Sequence, residues 1–271
     1  MKVSFWGTRG SVPVSGEQYR ETGGNTPCIE VEHQGYRLIL DGGTGLRALG
    51  AAVGWQPIEG CLLFSHFHWD HIQGVPFFSP AFHPGSQLTF AGVPGALGVR
   101  ESLARQMEPP TFPIGPELLV GVKGYLDVRP GASFEVGPFR VTATPQPHPN
   151  GVAAYRIEAG GRSLVYATDV EHGGQEDRAL LAAAEGADLL VHDAQYHWAE
   201  YVGQAGPPRR GWGHSTWLEA VSAAQRARVR ALALFHHDPA RDDRGVAEIE
   251  ALACERFPAA FAARQGQELI L

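Results

Sequence analysis

A short histidine-rich run directly after an apolar segment constrains this chain more than any other feature of its sequence. The run packs three histidines and an aspartate into six positions, as His66, His68, Asp70 and His71. The preceding residues Cys61–Phe64 are continuously apolar, which predicts a buried strand. Residues two apart on an extended chain point to the same side, so His66 and His68 can face one point. The chain then turns into a short predicted helix, from which Asp70 and His71 can face a second point close by.

The chemistry of these four side chains favours a metal site. Imidazole and carboxylate groups together suit zinc, manganese or iron. Burying such groups without partners would be costly, and a solvated loop has no need of them. The three cysteines, Cys28, Cys61 and Cys254, are widely spaced and form no Cys-x-x-Cys pair, which disfavours a disulfide framework and a sulfur-ligated zinc site.

Strands and helices mix along the chain, with most strands in the first half. The predicted strands are Val3–Trp6, Cys28–His33, Tyr36–Leu40, Cys61–Phe64, Gln87–Ala91, Leu119–Leu126, Phe139–Thr144, Val152–Glu158, Ser163–Ala167, Leu189–His192 and Ala231–Phe235. The predicted helices are Gly45–Val53 after a Thr44 cap, Gln175–Glu185, Thr216–Arg228 after a Ser215 cap, and Gly245–Arg256. This mixture predicts a layered α/β fold of the α+β type. No repeat or linker is evident, so we expect one domain over residues 1–271.

The pattern His-x-His-x-Asp-His after a strand resembles the leading motif of the metallo-β-lactamase superfamily. The resemblance extends along the chain to His148 in a loop between two predicted strands. It continues to Asp169 and His236, each at the end of a predicted strand. It implies a four-layer αβ/βα sandwich that carries a hydrolase active site with two divalent metal ions.

The same resemblance implies a role for each of seven ligands. The first ion would be held by His66, His68 and His148, and the second by Asp70, His71 and His236. Asp169 would bridge the two ions, which would share an activating hydroxide. His236 is preferred over the neighbouring His237 because it lies closer to the strand end. Zinc is the first expectation for the metal, with manganese and iron as alternatives.

Two positions disfavour other branches of this superfamily. Asp169 stands where the β-lactamases themselves use a cysteine ligand, so antibiotic hydrolysis is not expected. His68 stands where the di-iron oxygen reductases carry a glutamate, which favours hydrolysis over redox chemistry.

A second motif resembles the phosphodiesterase branch, which includes ribonuclease Z and the phosphoribosyl cyclic phosphodiesterases. It consists of Gly213-His214-Ser215-Thr216 before a helix and Leu190-Val191-His192-Asp193-Ala194 at a strand end. The resemblance implies that His214 protonates the leaving oxygen and that Asp193 orients His214. Asp70 is expected to accept the proton of the attacking water besides ligating. Arg209 and Arg210, just upstream, are either phosphate ligands or a solvated loop pair.

The charge balance favours a small substrate. The formal net charge is −7, and the chain lacks the long Gly-rich, basic insertion with which ribonuclease Z enzymes grip transfer RNA. We therefore expect a metal-dependent phosphodiesterase acting on a small, cyclic or linear phosphodiester, with nucleic acid as a less favoured partner. The alternatives are a ribonuclease Z-type nuclease, a glyoxalase II-like thioester or lactone hydrolase, and a metal-stabilised sensor without catalysis.

Location and assembly follow from weaker observations. No apolar run suits a signal peptide or a membrane span, so a cytoplasmic protein with no membrane partner is expected. The segment Glu101–Pro116 is expected to roof the active site or to form the contact of a homodimer.

Overall fold

The computed structural model describes residues 1–173 and 176–271 of the chain. Its strands are β1 (Lys2–Gly7), β2 (Cys28–His33), β3 (Tyr36–Leu40), β4 (Glu59–Phe64), β5 (Gln87–Gly92), β6 (Val122–Asp127), β7 (Ser133–Val136), β8 (Phe139–Gln146), β9 (Val152–Ala159), β10 (Arg162–Ala167), β11 (Leu189–Asp193), β12 (Leu232–Phe235), β13 (Ala260–Ala262) and β14 (Glu268–Ile270). The helices are α1 (Thr44–Val53), α2 (Trp69–Ile72), α3 (Ser79–Phe82), α4 (Val99–Gln106), α5 (Glu176–Ala184), α6 (Trp198–Tyr201), α7 (Trp217–Ala227) and α8 (Asp243–Arg256). Short 3-10 turns cover Glu17–Tyr19, Val75–Phe77 and Pro116–Leu118.

The strands form two mixed sheets. The first has the order β14-β1-β2-β3-β4-β5-β6, and the second has the order β13-β12-β11-β10-β9-β8-β7. In the first sheet β3, β4, β5 and β6 run parallel to one another, and in the second β10, β11, β12 and β13 do the same. The remaining pairs are antiparallel, as in the hairpin of β2 and β3.

Helices cover the outer face of each sheet. One buried cluster draws apolar side chains from both sheets and lies between them. A second lies between the second sheet and helices α5, α7 and α8, and a third lies between the first sheet and helices α1, α3 and α4. The order helix, sheet, sheet, helix is the predicted four-layer αβ/βα sandwich. That prediction of the fold class is confirmed.

Strand β4 shows why an unbroken apolar run is needed in such a layered fold. Side chains alternate between the two faces of a strand. Cys61 and Leu63 pack between the sheets, whereas Leu62 and Phe64 pack against the helices. Both faces of this strand are thus buried, as is typical of parallel strands. The strand therefore delivers the histidine-rich run that follows it to a fixed place.

Several details differ from the sequence-based expectations. Strand β6 begins at Val122 rather than Leu119, and β7, β13, β14 and helix α4 were not predicted. Thr216, not Ser215, caps α7: its hydroxyl accepts the amide of Glu219, whose carboxylate accepts the amide of Thr216. Thr44 is the first residue of α1 rather than its cap, because its hydroxyl is engaged with Asn25 and Thr26. Gln175, the predicted start of α5, lies outside the described residues.

No helix among the described residues is long and apolar enough to cross a membrane. The extent of the domain, predicted to be residues 1–271, stays a prediction.

Candidate metal centre

The predicted ligands lie where strands of the two sheets end. His66 follows β4, Asp169 follows β10 and His236 follows β12, while Asp193 is the last residue of β11. In α/β folds, ligands bind outside the carboxyl ends of parallel strands, because the loops there gather side chains from several strands. The centre lies at such an edge, and the loop between β8 and β9 adds His148 to it.

One group of side chains matches the first predicted ligand set. A potential ligand atom from each of His66, His68, His148 and Asp169 lies within 4.8 Å of the others. His148 Nε2 is 3.1 Å from His68 Nδ1, and Asp169 Oδ2 is 3.7 Å from both His66 Nε2 and His148 Nε2. Four residues from three separate parts of the chain therefore bring their ligand atoms to one place.

A second group matches the other predicted set. Asp70, His71 and His236 also offer ligand atoms within 4.8 Å of one another. The other carboxylate oxygen of Asp169, Oδ1, lies 3.2 Å from both His71 Nε2 and His236 Nε2. Asp169 thus turns one oxygen to each group, which is the arrangement expected of a bridging ligand.

Backbone conformation at the centre is unusual. Asp41, Asp169 and His236 all have positive φ, of 60°, 54° and 59°. Side chains other than glycine rarely adopt this conformation, and such residues cluster at functional sites where the surrounding structure holds them. Asp41 and His236 directly follow strands β3 and β12, and Asp169 is the second residue after β10.

The imidazoles are held by their far nitrogens. The Nδ1 atom lies 2.8 Å from Asp41 Oδ2 in His71, 2.9 Å from Gly213 O in His148 and 2.9 Å from Gln195 Oε1 in His236. A histidine that ligates a metal almost always donates its other N–H to such an acceptor. This contact directs the Nε2 lone pair of each ring to the centre.

The charge and burial of these groups fit divalent cations. The Nε2 atoms of His66 and His71 are buried without a hydrogen-bond partner. Burial lowers the pKa of His66 far below its ordinary value and that of His148 to about 4, so both rings are neutral and can ligate. Burial opposes ionisation of Asp70, but the nearby His71 and His236 outweigh it and lower the Asp70 pKa. Converging imidazoles and carboxylates are the donor set that such ions prefer.

The predicted proton donor lies beside the same centre. His214 Nδ1 is 2.8 Å from Asp193 Oδ2, and the His214 ring stacks on that of His236 with 4.9 Å between centroids. Burial lowers the pKa of His214, but the Asp193 carboxylate outweighs it and raises that pKa to about 9. His214 is therefore protonated at neutral pH and has a proton to donate.

Two neighbouring residues point elsewhere. His237 is buried away from the centre, with its Nε2 3.0 Å from Ala263 O, so the structure places His236 and not His237 in the cluster. Arg209 pairs with Asp238 at 2.7 Å and lies over the ring of Tyr196. This engagement favours a structural role for Arg209 over phosphate binding.

Comparisons with known proteins agree with this geometry. Residues 36–237 match the family described as beta-lactamase superfamily domain. The chain belongs to this superfamily. It is 26% identical to a ribonuclease Z of Natronomonas pharaonis over 287 aligned positions, which cover 87% of the chain and 86% of that protein.

Solved structures share the fold. The metallo-beta-lactamase fold protein YhfI from Bacillus subtilis superposes with a TM-score of 0.76 at 22% identity, covering 99% of this chain and 98% of that one. A diphosphatase from the PhnP family superposes with a TM-score of 0.72 at 18% identity, covering 100% and 97%. The predicted superfamily is confirmed, and the chain is a metal-dependent hydrolase of this superfamily.

Sequence reasoning missed residues that hold the centre from behind. Asp41 is fully buried and accepts hydrogen bonds from the Ser65 amide, the Ser65 hydroxyl, His71 and the Tyr166 hydroxyl. A lone aspartate before two glycines at a strand end was the only available signal.

Glu171 was missed as well. Its carboxylate accepts the amides of Gly211 and Gly213 at 2.7 Å each and the hydroxyl of Tyr201 at 2.6 Å. These contacts fix the loop that carries His214.

A large cavity opens beside the centre on the side of His66 and His68. Its volume is about 830 Å³, within the range of small-molecule sites. Helix α4 forms part of its wall through Ser102, Arg105 and Gln106, and whether Glu101–Pro116 roofs the site or forms a dimer contact stays a prediction.

Proposed function

We propose that this hydrolase cleaves phosphodiesters and that His214 protonates the leaving oxygen. The observation that carries the proposal is the 2.8 Å contact between His214 Nδ1 and Asp193 Oδ2 directly beside the candidate metal centre. An alkoxide is a poor leaving group, so a donor at this place has a use in phosphodiester cleavage that thioester cleavage lacks.

The predicted ligands would hold two divalent ions. His66, His68 and His148 would bind the first, Asp70, His71 and His236 the second, and Asp169 both. Ions bound there would supply an activated water and offset the negative charge of the phosphate. Zinc is the first candidate, with manganese and iron as alternatives of similar ligand preference.

The chain's own residues would divide the proton transfers between them. The lowered pKa of Asp70 keeps it ionised, and in this proposal Asp70 would take the proton of a water that the bound ions make more acidic. The amide of Ser11 donates to Asp70 Oδ2 at 2.7 Å and holds the carboxylate in place. His214 would give its proton to the departing oxygen, and Asp193 would keep that imidazole charged and oriented.

A leaving-group comparison tests the proposal. The metal-reconstituted protein and a His214→Ala variant are assayed on bis-p-nitrophenyl phosphate and on the dinucleotide thymidylyl-thymidine, with elemental analysis of both preparations. p-Nitrophenolate leaves without a proton, whereas the sugar alkoxide needs one. The variant should keep its metal and lose about 10²–10⁴-fold of its activity on the dinucleotide, with a much smaller loss on the nitrophenyl ester. Equal losses on both would remove His214 as the donor, and hydrolysis of glutathione thioesters alone would replace the proposal by the thioester alternative.

Transfer RNA processing is the second candidate, because the relative in Natronomonas pharaonis is named ribonuclease Z. The net charge of −7 favours a small phosphodiester instead. Cleavage of transfer RNA precursors with an affinity that falls steeply with salt would decide for the nuclease. The cytoplasmic location and the homodimer stay predictions.

A further inference from the structure

The cavity beside the metal centre adjoins the first predicted ligand set. It is lined by His66, His68 and Asn150. Among the residues that the structure describes, neither His214 nor Asp193 contributes to this lining. If the leaving oxygen faces His214, as the proposed function requires, the other ester arm of the phosphate must lie elsewhere. The cavity is the space that the centre offers for this retained arm.

The wall of the cavity is largely apolar. Its apolar lining residues include Phe67, Trp69, Ile72, Val93, Pro94 and Leu97. Trp69 has 68% of its surface exposed although it precedes Asp70 directly. An indole that stays exposed at the mouth of a cavity offers a face on which a planar group can stack.

One cationic side chain reaches the same space. Arg105, on helix α4, lines the cavity together with Ser102 and Gln106. Gln106 is engaged, since its Nε2 donates to Ile72 O at 2.9 Å. Among the side chains that the structure describes, Glu176 not being one of them, Arg105 forms no ion pair with a carboxylate. A guanidinium without a carboxylate partner, at the wall of an apolar cavity, is suited to an anionic group of a ligand.

We propose that the cavity is a binding site for the retained arm of the substrate, and that this arm is an aryl group or nucleobase carrying a second anionic group. The planar group would lie against Trp69 and Leu97, and Arg105 would bind the second anion. This inference rests on the proposed phosphodiesterase function. It assigns the discrimination between substrates to α4 and Trp69, and the chemistry to the metal centre.

The test varies the retained arm and keeps the leaving group constant. Three p-nitrophenyl diesters are compared: methyl p-nitrophenyl phosphate, thymidine 5′-(p-nitrophenyl phosphate), and the latter with an added 3′-phosphate. We expect kcat/KM to rise in that order. Leu97→Asp should remove the advantage of the thymidine arm over methyl, because it places a charge on the apolar wall.

Arg105→Gln tests the second anion. It should lower kcat/KM for the 3′-phosphorylated ester by about tenfold, as for the loss of one charged hydrogen bond. The two esters without the second phosphate should lose far less. Arg100→Gln is the matched control, since Arg100 lies on the same helix, is exposed and does not line the cavity.

Binding without turnover gives an independent readout. Calorimetry with thymidine 3′,5′-bisphosphate should show weaker binding to Arg105→Gln than to the wild-type protein or to Arg100→Gln. Equal rates on all three esters, together with equal binding by all three proteins, would overturn the cavity proposal and leave the phosphodiesterase standing. If no diester is cleaved, the proposed function fails, and the calorimetric comparison still decides whether the cavity binds the arm.

Discussion

Asp41 Oδ2 lies 2.8 Å from His71 Nδ1, and both side chains are fully buried. The same carboxylate accepts the hydroxyl of Tyr166 at 2.7 Å and two hydrogen bonds from Ser65. Ser65 in turn lies 3.0 Å from His66 Nδ1 through its hydroxyl. One carboxylate therefore orients a candidate ligand of each proposed ion, one directly and one through Ser65.

Replacing this carboxylate should weaken metal binding. Asp41→Asn removes the negative charge and one acceptor oxygen while keeping the shape of the side chain. Loss of such a supporting contact costs about 10–100-fold in metal affinity. Competition with a chelator on the purified variant measures this affinity.

Asp188→Asn is the matched control for Asp41→Asn. Asp188 also accepts a backbone amide, from Ser163 at 2.8 Å, but it pairs with Arg162 and takes no part in the centre. The metal affinity of the Asp188→Asn protein should match that of the wild type. A folded Asp41→Asn protein with wild-type affinity would show that Asp41 serves the fold alone.

A glycine packs against the last ligand. A Cβ placed on Gly10 would lie 2.4 Å from His236 Nδ1, the atom that contacts Gln195. Gly10→Ala must therefore displace the His236 ring. Misplacement by about 1 Å at a reacting centre can cost on the order of 10² in rate, so kcat/KM should fall by that order.

The Gly10→Ala experiment has a direct control in Gly124→Ala. A Cβ at Gly124, within β6, would meet no atom within 4 Å. Metal content per chain and kcat/KM are measured for both variants. If Gly10→Ala kept full metal content and full activity, the centre would tolerate a displaced His236 ring. The close packing of Gly10 against that ring would then not be needed for function.

The contrast between predicted and missed residues has a physical cause. His66, His68, Asp70 and His71 are recognisable because strand and helix geometry place neighbours in sequence around one centre. The contacts of Asp41 span 24 positions to Ser65 and 125 positions to Tyr166, so no local sequence pattern predicts them.

The fold shows the same division. Strands with two buried faces, such as β4, carry a continuous apolar signal and were predicted close to their observed bounds. Strand β7 alternates between exposed and half-buried residues, and β14 has three residues. These short strands form because a neighbouring strand offers them hydrogen bonds, and a single sequence does not reveal that neighbour.

Glu171 should act as a positioning residue for His214. It accepts the amide of Gly213, whose carbonyl accepts the Nδ1–H of His148. Glu171→Ala leaves the amides of Gly211 and Gly213 without this acceptor, so hydrogen exchange of these two amides should accelerate. Activity on thymidylyl-thymidine should fall more than activity on bis-p-nitrophenyl phosphate, because the donor loop loosens. Glu171→Gln keeps one acceptor oxygen, so its amide exchange rates and its activity should lie between those of the wild type and Glu171→Ala. Unchanged amide exchange in Glu171→Ala would contradict the positioning role of Glu171.

The pH dependence should report the pairing of His214 with Asp193. His214 donates only when protonated, so activity on thymidylyl-thymidine should fall as the pH rises through its pKa. Burial lowers that pKa, and Asp193 outweighs burial and raises it to about 9. Asp193→Asn removes the charge that favours the protonated ring. The fall in rate on the alkaline side of the pH–rate profile, the alkaline limb, should therefore move to lower pH by about 1–3 units. Rate profiles of the wild type, Asp193→Asn and the remote Asp188→Asn, each with its metal content determined, test this shift. An alkaline limb that stays in place in a metal-loaded Asp193→Asn protein would assign the limb to another group, because the Asp193 carboxylate is the largest influence that holds the proton on His214.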